Sequence, residues 1–134
     1  MRYMLDTNIC IYLLHRHPPE VLARLQALHE GQAVLSAVTY AELRAGLEMQ
    51  AQGRQHDEQV LALLVRRIPV LAFDAAAAVS YGVQWAAGSE RRRDALDRLI
   101  AAHAVCVGAT LVTNNEADFK DLPGLVIENW TLPG

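Results

Sequence analysis

Residues 3–14 read YMLDTNICIYLL, and the change of pattern in the middle of that stretch decides the fold. Tyr3-Met4-Leu5 is apolar without polar alternation, as a strand covered on both faces should be. Asp6 follows at once, and Thr7 or Asn8 can cap a helix expected from Asn8 to Arg16. A strand that hands over directly to a helix is the first half of a βα unit, and the rest of the chain repeats it. Pro18-Pro19 break the chain before a helix over Glu20 to His29. A strand at Ala33 to Ser36 leads into a helix from Val38 to Gln52, closed by Gly53. Another helix, His56 to Arg67, precedes a strand at Val70 to Phe73. Asp74 has the position of an N-cap for a helix from Ala75 to Ala87, closed by Gly88. A helix from Asp94 to Val107 ends at Gly108, and strands follow at Thr110 to Thr113 and Leu125 to Ile127.

Short apolar strands separated by helices imply a central parallel sheet with helices on both faces, a three-layer α/β/α sandwich. Such sheets bind their ligands at the carboxyl ends of the strands. No repeat, linker or low-complexity tract divides the chain, so residues 1–134 read as one domain. At 134 residues and 52% apolar composition it can build its own core. No apolar run is long enough for a membrane span, and the N-terminus lacks the pattern of a signal peptide. Cys10 and Cys106 lie in apolar helical segments and read as buried, reduced thiols of a cytoplasmic protein.

The formal net charge is −3, which argues against binding nucleic acid by bulk charge. All the basic residues except Lys120 are arginines. Arg91-Arg92-Arg93 fits either a solvated helix start or a set of guanidinium forks for RNA phosphates.

Four acids stand out. Asp6 fits a helix cap and equally an acid at the sheet's carboxyl edge. Glu42 falls within the apolar arc drawn by Val38, Ala41, Ala45 and Met49, where a charge needs a partner or a metal. Thr39-x-x-Glu42 also has the form of a capping box. On the next candidate helix, Asp97 borders a stripe of Leu96, Leu99, Ile100, His103 and Val107. Asp94 turns about 60° further toward solvent, where it suits the helix dipole. His103, inside the stripe, reads as a core residue. Thr113-Asn114-Asn115, with Asp118 behind, follows another strand end, although asparagines there are commonly turn formers. Acids delivered from several strand ends to one sheet edge repel one another, and must take up protons or bind a cation. Hard oxygen donors favour Mg²⁺ or Mn²⁺, which suit phosphodiester hydrolysis by activated water.

The segments LDTNICIYLL (5–14), SAVTYAELRAG (36–46), DALDRLIAAHA (94–104) and LVTNNEADF (111–119), in that order and spacing, resemble the VapC-type toxins of the PIN-domain family. The resemblance covers essentially the whole chain. It implies a PIN fold and a Mg²⁺- or Mn²⁺-dependent endoribonuclease acting on tRNA or ribosomal RNA. It also implies inhibition by a VapB-type antitoxin, whose C-terminal segment enters the active-site groove, and a homodimer. By position, Asp6, Glu42 and Asp97 match the first three family acids, with Asp6 and Asp97 as metal ligands, and Asp118 matches the fourth. Thr7, Asn8, Thr113 and Asn114 fall where the family supports metal or substrate. Two rival readings are a small-molecule phosphohydrolase and a non-catalytic RNA-binding domain. The first lacks a second acid at Asn8, and the second would show a broken acid set.

Overall fold

The computed structural model describes residues 1–87, 95–120 and 122–132. The sequence readings at Gly88, Arg91-Arg92-Arg93 and Asp94 lie outside them. Five strands, β1 (Tyr3–Leu5), β2 (Ala33–Ser36), β3 (Val70–Leu71), β4 (Thr110–Val112) and β5 (Ile127–Glu128), form one sheet in the order β3-β2-β1-β4-β5. Every pairing is parallel, with Tyr3 level with Ala33 on one side and Thr110 on the other. Among the described residues six α-helices connect them: α1 (Thr7–His15), α2 (Pro19–Gln26), α3 (Ala37–Glu48), α4 (Arg54–Arg67), α5 (Ala75–Ala87) and α6 (Ala95–Val107).

Side chains alternate across a strand, and here both faces are dry. Leu5, Leu35 and Val112 point into one core with Ile9, Leu13, Leu43 and Leu61 from α1, α3 and α4. Their neighbours Met4, Val34 and Leu111 point into a second core with Ile100, Ala101 and Ala104 of α6. That is the three-layer sandwich expected, and it explains strands without polar alternation.

Three strand ends pass into helices through a polar cap. Asp6 Oδ1 accepts the Ile9 N–H at 2.9 Å, Ser36 Oγ the Val38 N–H at 3.1 Å, and Asp74 Oδ1 the Ala77 N–H at 3.0 Å. A cap directly after a strand fixes where the next helix starts, and so fixes which residues face the sheet edge.

Three expectations need correction. The cap of α3 is Ser36, and Thr39 is fully buried in the helix, so a Thr39–Glu42 capping box does not form. The buried face of α3 is Thr39, Leu43 and Leu47, whereas Met49 is 86% exposed and Ala41 and Ala45 face solvent. Cys106 is exposed, because the face of α6 packed on the sheet carries Ile100, Ala101 and Ala104, while Cys10 is buried as expected.

Candidate active site

The strand order reverses direction between β1 and β4: the chain winds outward through β2 and β3, returns, and continues to β5. The helices therefore part at the carboxyl ends of β1 and β4, leaving a crevice there. Asp6 and Thr113 are the first residues beyond those two strands. The Asp6 N–H donates to the Val112 carbonyl at 3.0 Å, so the sheet ladder still holds the backbone of Asp6 at that point.

A cleft of about 210 Å³ opens at this edge. Asp6, Glu42 and Asp97 line it together with Thr7 and Asn8. Each acid arrives by a different route. Asp6 comes straight off β1. Glu42 projects from α3, bordering the buried Thr39–Leu43 face, and is half-buried. Asp97 lies in the first turn of α6, a helix that leads into the start of β4 and therefore begins at the opposite, carboxyl edge.

Asp6 is 6% exposed. Burial pushes its carboxyl above the ordinary aspartate value, and the Glu42 charge adds to this. Hydrogen bonds from the Thr113 hydroxyl and from the backbone N–H groups of Ile9 and Asn8 pull the other way. Thr7 donates its hydroxyl to Glu42 Oε1 at 2.6 Å, tying α1 to α3 beside the cleft. Asp6 is thus both a cap and a cleft acid, and the two readings of the sequence describe one residue.

Two further cleft residues, Asn115 and Phe119, were not singled out in the sequence. In the sequence alone Asn115 has the character of a turn former. Phe119, 2% exposed, is an ordinary core residue on its inner side. Asp118 is not among the residues lining this cleft; its Oδ2 accepts the side-chain N–H of Asn115 at 2.5 Å. Asn114 is exposed and donates to the Tyr12 hydroxyl at 2.8 Å.

His103 is a core residue, as expected: it is 1% exposed, with Nδ1 2.8 Å from Ser36 Oγ and its ring edge-on to Phe73. Burial lowers its imidazole below the usual histidine value, against a smaller raising effect of the Asp74 charge. A depressed folded-state value means stability that is present above the ordinary pKa near 6.5 and is lost as pH falls through the folded value. The melting temperature of the wild type should therefore fall more steeply between pH 7 and 5 than that of His103→Asn, which retains a polar group for Ser36 and does not titrate. Parallel curves would remove His103 as the source.

A larger hollow of about 290 Å³ lies between α1, α3 and α4, walled by Ile11, Leu14, Leu43, Leu47, Val60 and Leu61. It shares Thr7 and Glu42 with the acid cleft, so the two hollows adjoin on either side of the Thr7–Glu42 bond.

Comparison with known proteins identifies the family to which this fold belongs. The PIN domain family model matches residues 3–125. The chain belongs to the PIN-domain family. It is 35% identical over 136 residues to Ribonuclease VapC2 of Rickettsia felis, covering 97% of this chain and 98% of that one. It is 38% identical over 133 residues to the tRNA(fMet)-specific endonuclease VapC of Shigella flexneri, covering 98% and 99%. Among solved structures, VapBC2 from Rickettsia felis bound to a DNA fragment from its promoter superposes with a TM-score of 0.83 at 33% identity, covering 97% of this chain and 99% of the matched chain.

Proposed function

We propose that this chain is the ribonuclease toxin of a toxin–antitoxin pair, a divalent-metal-dependent endoribonuclease acting on tRNA or ribosomal RNA. The observation that carries the reading is the convergence of Asp6, Glu42 and Asp97, from three separate elements, on one cleft. Full-length likeness to VapC ribonucleases, one of them named for tRNA(fMet), supports it.

The donor set suits Mg²⁺ or Mn²⁺. It is all oxygen, and its innermost member carries a carboxyl whose charge burial and Glu42 make costly, a cost that a cation would offset. Among the described residues no three His, Cys, Asp or Glu side chains form a ready-made metal cage. Mg²⁺ is ordinarily held by one or two carboxylates, with waters and phosphate oxygens completing the shell. Asp6 and Asp97 are the residues that would hold it. When bound, the metal supplies an activated water and positive charge for the phosphodiester transition state. The chain's own part is to fix the donors: the Ile9 N–H and Thr113 hold Asp6, and Thr7 holds Glu42. Incubation with tRNA and ribosomal RNA should give cleavage in Mg²⁺ or Mn²⁺ and none in EDTA. Hydrolysis of a chromogenic phosphate ester with no RNA cleavage would favour the phosphohydrolase reading instead.

The adjoining hollows suit a partner that spans both. An apolar segment seated on Ile11, Leu14, Leu47 and Leu61 could extend a basic tip past Thr7 and Glu42 to the acids. The structural relatives are VapBC complexes, which fits such an inhibitor. A structure with the antitoxin should show an arginine or lysine of the partner within salt-bridge distance of Asp6, Glu42 or Asp97. A complex with no basic side chain near them would overturn this mode of inhibition.

A further inference from the structure

We infer that Ser36 and His103 are a positioning pair beneath the cleft, whose hydrogen bond sets where Glu42 and Asp97 stand relative to Asp6. This rests on the metal-dependent nuclease reading and assigns a part to two buried polar residues that do not line the cleft.

Ser36 ends β2, which lies beside β1 with Tyr3 level with Ala33 and Met4 level with Val34. Carried two residues further, that register puts Ser36 level with Asp6 at the same edge of the sheet. Ser36 is fully buried, and its Oγ serves two helices at once. It accepts the Val38 N–H at 3.1 Å and so starts α3, and it lies 2.8 Å from His103 Nδ1 on α6. Glu42 follows Ser36 by six residues along α3, and Asp97 precedes His103 by six along α6. At 1.5 Å per residue, each acid stands about 9 Å along its helix from this one bond. The Ser36–His103 bond therefore ties together the helix of the second acid, the helix of the third, and the strand beside the first.

The other contacts of α6 with the sheet have a different character. Ile100, Ala101 and Ala104 meet Met4, Val34 and Leu111 through apolar surface, an attraction without direction. A hydrogen bond holds within a narrow range of length and angle. His103 is 1% exposed, so water does not compete for the bond, and Phe73 meets the imidazole edge-on at 5.3 Å between ring centroids. A leucine at 103 would suit the apolar face without burying polar atoms. What it lacks is a partner for Ser36. Acids that must share one cation with a phosphate are sensitive to such a loss, because a misplacement of about 1 Å can slow a reaction about a hundredfold.

The test compares His103→Leu, His103→Asn and Ser36→Ala, reading kcat and KM for RNA cleavage, Mn²⁺ affinity by calorimetry and the metal-free melting temperature. His103→Leu should lower kcat about 10- to 100-fold and weaken Mn²⁺ about tenfold, with KM within about threefold of the wild type. The amide of His103→Asn can donate to Ser36 or accept from it, and should bring kcat and Mn²⁺ affinity back to within about threefold. Ser36→Ala should lose at least as much as His103→Leu, and adding the second substitution to the first should cost nothing more. It carries the same comparison if the leucine variant fails to fold. Val21→Ala, in the core under α2, should lower the melting temperature and leave kcat and Mn²⁺ affinity unchanged, so lost stability alone does not give the pattern. A His103→Leu protein with wild-type kcat and Mn²⁺ affinity would overturn the inference, whatever its melting temperature. Equal losses in His103→Leu and His103→Asn, or additive losses in the double variant, would overturn it too. Normal cleavage by Asp6→Asn would instead sink the nuclease reading on which the inference rests.

Discussion

Replacing Asp6 with asparagine is expected to lower RNA cleavage by at least about a thousandfold while raising the melting temperature of the metal-free protein at neutral pH. The first effect follows from position. Asp6 is the acid delivered directly by the central strand, at the point where the sheet reverses direction, and it is the most deeply buried of the three. A thousandfold is about 4 kcal/mol of barrier, the scale on which a metal acts at a transition state. The second effect follows from the raised carboxyl. A folded-state value above the ordinary 3.8 means that the native protein holds the proton more tightly than the unfolded chain does. That contribution is fully present below the unfolded value and is lost as pH rises through the folded one. At pH 7 the buried charge is therefore a liability, and asparagine removes it. Asparagine is also a good N-cap, so the bond to the Ile9 N–H survives. The gain should shrink as pH falls toward 4 and vanish below it. Saturating Mn²⁺ should reverse the order, because only the wild type gains stability from binding. A variant less stable than the wild type at pH 7 without metal would contradict the burial argument, and one with normal cleavage would remove Asp6 from the site.

The parts of the molecule that were legible in the sequence share one property: they are set by local order along the chain. A strand that ends in a polar cap and begins a helix leaves a mark at a single place. Asp6 and Asp74 carried that mark, and with it came the sheet, its layers and the edge where chemistry would gather. Helix phase was less legible, for a physical reason. In α3 the expected inward arc used Ala41, Ala45 and Met49, all of which face solvent. Alanine is small enough to sit on either face, and a buried Thr39 gave no apolar signal. Glu42 nevertheless borders the cleft, because it also adjoins the true face at Thr39 and Leu43. Asn115 was hidden differently. It lines the cleft from a turn held by bonds to Thr113 and Asp118, and asparagine in a turn has a sufficient explanation without any site.

Asp97→Asn carries the other large effect, and here the revised helix phase sharpens the argument. The sequence placed Asp97 beside a stripe that included Leu96, yet Leu96 is 50% exposed. The face of α6 that meets the sheet is Ile100, Ala101 and Ala104, all fully buried. Residues 97, 101 and 104 stack at spacings of four and three, so Asp97 continues the buried face by one turn toward the helix start. The two alanines let the helix lie close on Met4, Val34 and Leu111, and that close approach carries the Asp97 carboxylate to the cleft rim. Neutralising Asp97 should weaken Mn²⁺ binding by at least about tenfold and slow cleavage by about a thousandfold. The neighbouring substitution Leu96→Ser, one residue away but about 100° around the helix, should alter neither by more than about twofold. Affinity is read by calorimetry and cleavage on the same RNA for both variants. Should Leu96→Ser lose metal binding while Asp97→Asn keeps it, the face assigned to α6 is wrong, and the third acid of the cleft must be sought elsewhere on that helix.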